Sequence, residues 1–174
     1  MGTPRAPKPA KYFVGLLASD QTLFDAVESQ LSAVFGEIER RSEVIPWNAS
    51  KFYEGEMGRG LVRRFVSFFQ LRSPEDLAAM KLETQSIEDR YRDGSGGRRV
   101  NLDPGYLDAY KLVLASTKNA GQRIYLKSGI YAEATLFYRD GGFQGLAYTY
   151  PNYLWPATRE FFVAVRERYL TQLR

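Results

Sequence analysis

The stretch KYFVGLL, Lys11–Leu17, decides how the rest of the chain is read. Its apolar run from Tyr12 to Ala18 has no polar alternate, the pattern of a strand covered on both faces and therefore interior to a sheet. The same letters resemble the first ribonucleoprotein motif of an RNA-recognition domain, in which a ring such as Phe13 stacks a base. The neighbouring segments must decide between the two readings.

Working outward, Ser19 or Asp20 can cap a helix whose apolar positions Leu23, Phe24, Val27, Leu31, Val34 and Phe35 recur at helical spacing until Gly36. Glu37 to Trp47 alternates weakly, is polar and carries Pro46, as an edge strand does. A polar loop from Asn48 to Gly60 follows. Leu61–Leu71 is apolar on both alternating sets except for Arg63, Arg64, Ser67 and Gln70, which suits a second interior strand. Ser73, Pro74 and Asp76 supply a cap, a first-turn proline and an acid for a helix with Leu77, Met80, Thr84, Ile87 and Tyr91 on its buried stripe. The DGSGG loop, Asp93–Gly97, and a short strand from Arg98 to Leu102 complete the order.

Strand, helix, strand, strand, helix, strand is the βαββαβ order of a ferredoxin-like unit, whose first and third strands are central. The apolar strands of this chain occupy those places. The expectation is an α+β protein: a flexible arm over 1–10, then one domain over 11–174, with the ferredoxin-like unit in 11–102 and an extension in 103–174. In the extension, Asp103 and Pro104 can open a helix through Leu107, Tyr110 and Leu114, and a strand through KLVLAS is the competing reading. Arg123–Lys127, Ile130–Arg139 and Phe143–Tyr150 read as strands, the last two joined in a hairpin at DGG. A terminal helix places Thr158, Phe161, Phe162, Val165, Tyr169 and Leu173 on one face.

An RNA-recognition domain shares this strand order, but its third strand carries a basic, Gly, aromatic, Gly or Ala, aromatic pattern. Arg64, Phe65, Val66, Ser67, Phe68 and Phe69 fill both glycine positions with larger groups and shift the rings out of register. Phe13 therefore reads as core, and RNA as the less favoured partner.

Composition narrows the chemistry further. The 174 residues contain no cysteine and no histidine. That excludes Ser-His-Asp and Cys-His catalysis, disulfides and the usual zinc or haem ligation. Carboxylates, tyrosine, lysine or an oxygen-bound metal such as magnesium must do any proton transfer. Net charge is +4, and arginine doublets stand at residues 40–41, 63–64 and 98–99, which permits an anionic partner. No run is long enough to span a bilayer, so the expected compartment is the cytoplasm.

The blocks KYFVGLLASD, KFYEGEMG, NLDPGYL, KLVLASTKN, RIYLKSGIYAEATL and TYPNY, in this order, resemble an uncharacterised bacterial family known only as a domain of unknown function, number 4416. The resemblance covers almost the whole chain. It implies no reaction, ligand or catalytic residue, and Gln122 stands where that family often has histidine.

Candidate site residues come from three segments. NLDPGYLDAYK places Asp103, Tyr106 and Lys111, beside Asn101, near a strand end, where sheets often present ligands. Tyr131 and Glu133 project from one face of their strand, with Arg123 or Lys127 in reach of Glu133 across the hairpin. Tyr53 and Glu56, in a loop between glycines, and Arg64 could close the same pocket. Asp103 as a plain helix cap and Glu133 as a plain ion pair are the bland alternatives. The functional expectation is a site that binds, or acts on, an anionic small molecule such as a nucleotide or phosphorylated metabolite. An RNA-binding or protein-binding adaptor is the alternative, and a concave polar cluster rather than a flat basic face separates them.

Overall fold

A computed structural model describes residues 2–174, as one antiparallel sheet of nine strands with five helices. Residues 2–9 are exposed and carry no regular structure. Strand β1 (Ala10–Ala18) is buried at every position. Asp20 then accepts from the Thr22 N–H, and helix α1 (Leu23–Phe35) starts two residues later than its nearest cap signal. The expected edge strand is two short pieces, β2 (Ile38–Arg41) and β3 (Ile45–Pro46), both paired with β4 (Val62–Arg72). The loop between β3 and β4 holds a single helical turn, α2 (Glu54–Met57). Ser73 caps a 3-10 turn at Pro74–Asp76 that leads into α3 (Leu77–Asp89).

The remaining elements are strands β5 (Val100–Leu107), β6 (Lys111–Ser116), β7 (Ile124–Lys127), β8 (Ile130–Arg139) and β9 (Gly142–Gly145), then α4 (Pro151–Leu154) and α5 (Pro156–Gln172). The sheet order is β2-β4-β1-β5-β6-β8-β7, with β3 beside β4 and β9 beside β8. Thus β1 and β4 lie inside the sheet. Ser128–Gly129 and Asp140–Gly141 take positive φ in the two hairpin turns, as tight antiparallel connections require.

The helix expected from Asp103 does not form. Asp103 and Pro104 lie within β5, and KLVLAS is β6. Pro104 sits one residue before the β5–β6 ladder begins at Gly105, a boundary where a missing N–H is tolerated.

Each face of the sheet has its own core, which is why β1 shows no polar alternate. Tyr12, Val14, Leu16 and Ala18 pack under α1 and α3 with Phe24, Val27, Leu31, Met80 and Ile87. Phe13 and Phe65 point the other way, into Phe161, Phe162, Val165 and Tyr169 of α5 and Tyr153 of α4. Phe13 is fully buried, with its ring centroid 4.7 Å from that of Phe162, and is unavailable to a base. No helix among the described residues is long and apolar enough to cross a membrane.

Candidate functional site

The sheet is split beside its centre. β5 pairs with β1 along its whole length, but with β6 only from Gly105 to Leu107. Beyond that, β6 follows β8 and leaves the outer edge of β5 without a strand. Helix α3 completes it: the Leu102 N–H donates to Glu88 Oε1 at 2.6 Å, and Lys81 Nζ donates to the Leu102 carbonyl at 2.8 Å. These side chains are seven residues apart, two turns of one helix face. They supply the donor and acceptor that a neighbouring strand would have offered.

A cavity of about 350 Å³ opens at this split. Its wall includes Lys81 and Glu88 from α3, Arg63 from β4, Asp103 from β5, Glu133 from β8 and Arg123 just before β7. Trp47, Phe52 and Tyr53 come from the segment after β3, Ser116 to Lys118 from the end of β6, and Tyr150, Asn152 and Tyr153 from around α4. The volume is at the low end of the range for small-molecule sites.

The centre of the site is a buried ion pair. Arg63 Nη1 lies 2.9 Å from Asp103 Oδ2, and Arg63 Nη2 donates to the Tyr153 hydroxyl at 3.3 Å. The guanidinium also sits 4.9 Å from the Phe65 ring and 5.7 Å from that of Trp47. Gly15 makes this possible, because a Cβ there would come within 2.5 Å of Arg63 Nη2. Burial opposes the charge on Asp103, but Arg63, Lys81 and the hydrogen bonds from Arg63 and Asn101 outweigh it and hold the carboxyl below its ordinary value. Burial likewise disfavours the Arg63 cation, and Asp103 together with the Tyr153 and Tyr53 phenols more than restores it. Glu88 differs: burial dominates and pushes its carboxyl up, with Lys81 and the Leu102 N–H only partly offsetting it. Burial and the nearby Asp103 push the Tyr53 phenol up to about 12. Two carboxyls with opposite shifts thus share one cavity.

A second pair lies across the cavity. Glu133 Oε2 accepts from Arg123 Nε and from Gln122 Nε2, each at 2.9 Å. Arg123 also donates to Ser116 Oγ. At the rim, Glu56 grips Arg98 at 2.7 and 2.8 Å, Arg98 donates to Asn101, and Asn101 donates to Asp103. Lys118 Nζ stands 4.5 Å from the Phe52 ring. Among the described residues no group of three or more acidic side chains is arranged to hold a metal ion.

Asp103, Arg123, Glu133 and Tyr53 of the expected site line the cavity, and Glu56 reaches it through Arg98. The others do not. Tyr106 packs on the α1–α3 face, 5.8 Å from Tyr12. Lys111 pairs with Asp108 in the β5–β6 turn. Tyr131 packs against Tyr125, and Arg64 pairs with Glu28 of α1 on the opposite face of the sheet. Arg63, Lys81, Glu88 and Asn152 were not among the expected residues. The mid-strand glycine at position 15 is the sequence signal for Arg63, since glycine within a strand marks the close approach of another group.

A mixed α+β protein with a split sheet and a charged, ring-lined cavity is the class that fold and site define. Over residues 8–169 the chain matches the model of the domain of unknown function DUF4416, and it belongs to that family. No curated protein and no solved structure matches it.

Proposed function

We propose that the protein binds an anionic small molecule in the cavity at the sheet split, on a ferredoxin-like unit. The unit is supported by the order of its strands: with β2 and β3 taken as one, the second, third, first and fourth lie side by side. The ligand reading rests on one observation. Five cationic side chains line the cavity, and only three are committed to carboxylates: Arg63 to Asp103, Arg98 to Glu56 and Arg123 to Glu133. Lys81 and Lys118 have no carboxylate within ion-pair distance. Lys81 is 7% exposed, with Asp103 and Glu88 as neighbouring carboxyls but neither in direct contact, so an arriving anion would give this buried ammonium the ion pair it lacks. Asp103 and Asn152 add an acceptor and a donor. The concave form favours a small molecule over the adaptor reading, as does the burial of Phe13 over an RNA surface.

The test is a thermal-shift series with inorganic phosphate, pyrophosphate and nucleoside monophosphates. A ligand at 100 times its Kd adds about 2.7 kcal/mol. At about 2–4 °C per kcal/mol for a chain of this size, Tm rises by about 5–11 °C. The Lys81→Met, Lys118→Ala double variant should lose that shift. An undiminished shift in a folded double variant, or no shift with any of the anions, refutes the proposal.

A further inference from the structure

Resting on that anion site, we infer that the ligand is a nucleoside monophosphate, its base against the rings at the cavity mouth and its phosphate on Lys118 and Lys81. The rings carry the first half. Phe52 and Tyr150 line the cavity yet are 67% and 50% exposed, and Tyr53 lines it with its ring centroid 5.1 Å from that of Phe52. Large rings left open beside a charged cavity gain most from a ligand with a flat apolar face. A sugar phosphate has none.

Lys118 carries the second half. Its ammonium faces the Phe52 ring and no carboxylate, so the phosphate position adjoins the base position, as in a molecule that joins base and phosphate through one ribose. Ser116 and Thr117 flank it with hydroxyls. Asp103 adds a requirement on the middle of the ligand. It is held ionised, its Oδ2 is taken by Arg63 and Asn101, and no protein donor reaches its Oδ1. An ionised carboxylate only accepts, so a ligand group placed against Oδ1 is a donor, as ribose hydroxyls or a base amine are. The cavity volume gives room for one nucleotide unit rather than a strand.

The chain has two tryptophans, and both report on this place: Trp47 lines the cavity, and the Trp155 ring centroid lies 5.9 Å from that of Trp47. Tryptophan emission is therefore the readout for titrations with AMP, GMP, CMP and UMP, with ribose 5-phosphate and with inorganic phosphate. The tightest nucleotide should change the emission saturably and bind at least about tenfold tighter than ribose 5-phosphate. Phe52→Ala, at an exposed position, should weaken that nucleotide about tenfold and ribose 5-phosphate by much less. If ribose 5-phosphate binds as tightly as every nucleotide, or Phe52→Ala leaves nucleotide binding intact, the nucleotide is refuted and the anion site stands. If none of these phosphates binds, both fail.

Discussion

Replacing Asp103 by asparagine keeps the shape of the side chain and removes the carboxylate paired with Arg63. Arg63 is 2% exposed, so the change strands a cation inside the protein. Breaking a fully buried pair costs about 3–5 kcal/mol. Two features reduce that here. The Asp103 side chain is 29% exposed to the cavity, which screens the pair. Arg63 also keeps the Tyr153 hydroxyl and the Phe65 and Trp47 rings, and each ring contact contributes about 0.5–2 kcal/mol. The expected loss is about 2–3 kcal/mol, a fall in Tm of about 4–12 °C at pH 7. The pH dependence adds an independent check. The folded carboxyl titrates below its ordinary 3.8, so its contribution is complete above that value and is lost as pH falls through the lower folded one. Wild type should therefore lose more stability on acidification than Asp103→Asn does. Thermal unfolding followed by circular dichroism measures both, with the exposed Asp89→Asn as a control expected to shift stability by no more than about 0.5 kcal/mol. A Tm unchanged by Asp103→Asn, or parallel acid limbs in the two proteins, would refute the argument.

Phe13→Ala should lower Tm by about 6–20 °C, because truncating a buried phenylalanine costs about 3–5 kcal/mol; a folded variant of unchanged Tm that loses affinity for single-stranded RNA would make Phe13 a stacking ring instead. Glu88→Gln keeps an acceptor for the Leu102 N–H and removes a buried charge. Because burial raises the folded value, wild type should lose stability as pH climbs from the ordinary 4.5 through that raised value, and the variant should not. An identical decline in both proteins, read as Tm between pH 4 and 8, would contradict this.

The interior strands and the three long helices were legible because their signals are strong and local. β1 and β4 combine length with apolar content on both faces, and α3 opens with Ser73 and Pro74. The misplacements of Tyr106 and Arg64 share one physical origin, the parity of a strand. Asp103 and Tyr106 are three residues apart, which places them together on a helix and on opposite faces of a strand. Asp-Pro fits a helix start as well as a strand that passes the end of a ladder, so the local signal could not separate them. Arg63 and Arg64 pose the same difficulty. With a core on each side of β4, alternation offers no polar face by which to tell which arginine enters the site. Lys81 and Glu88 look like ordinary positions of an amphipathic helix, and only the split between β5 and β6, a tertiary fact, turns them to the cavity.

The way α3 completes β5 bears on self-association as well as on the shape of the cavity. A free strand edge is a template for another chain, and proteins commonly guard such edges with charged groups. At Leu102 that guard comes from Lys81 and Glu88, which occupy the N–H and the carbonyl of that residue. The same two side chains therefore act as gatekeepers against strand insertion. Helix α3 cannot lift from β5 without uncovering that edge, so residues 81 and 88 carry a structural duty independent of anything the cavity holds.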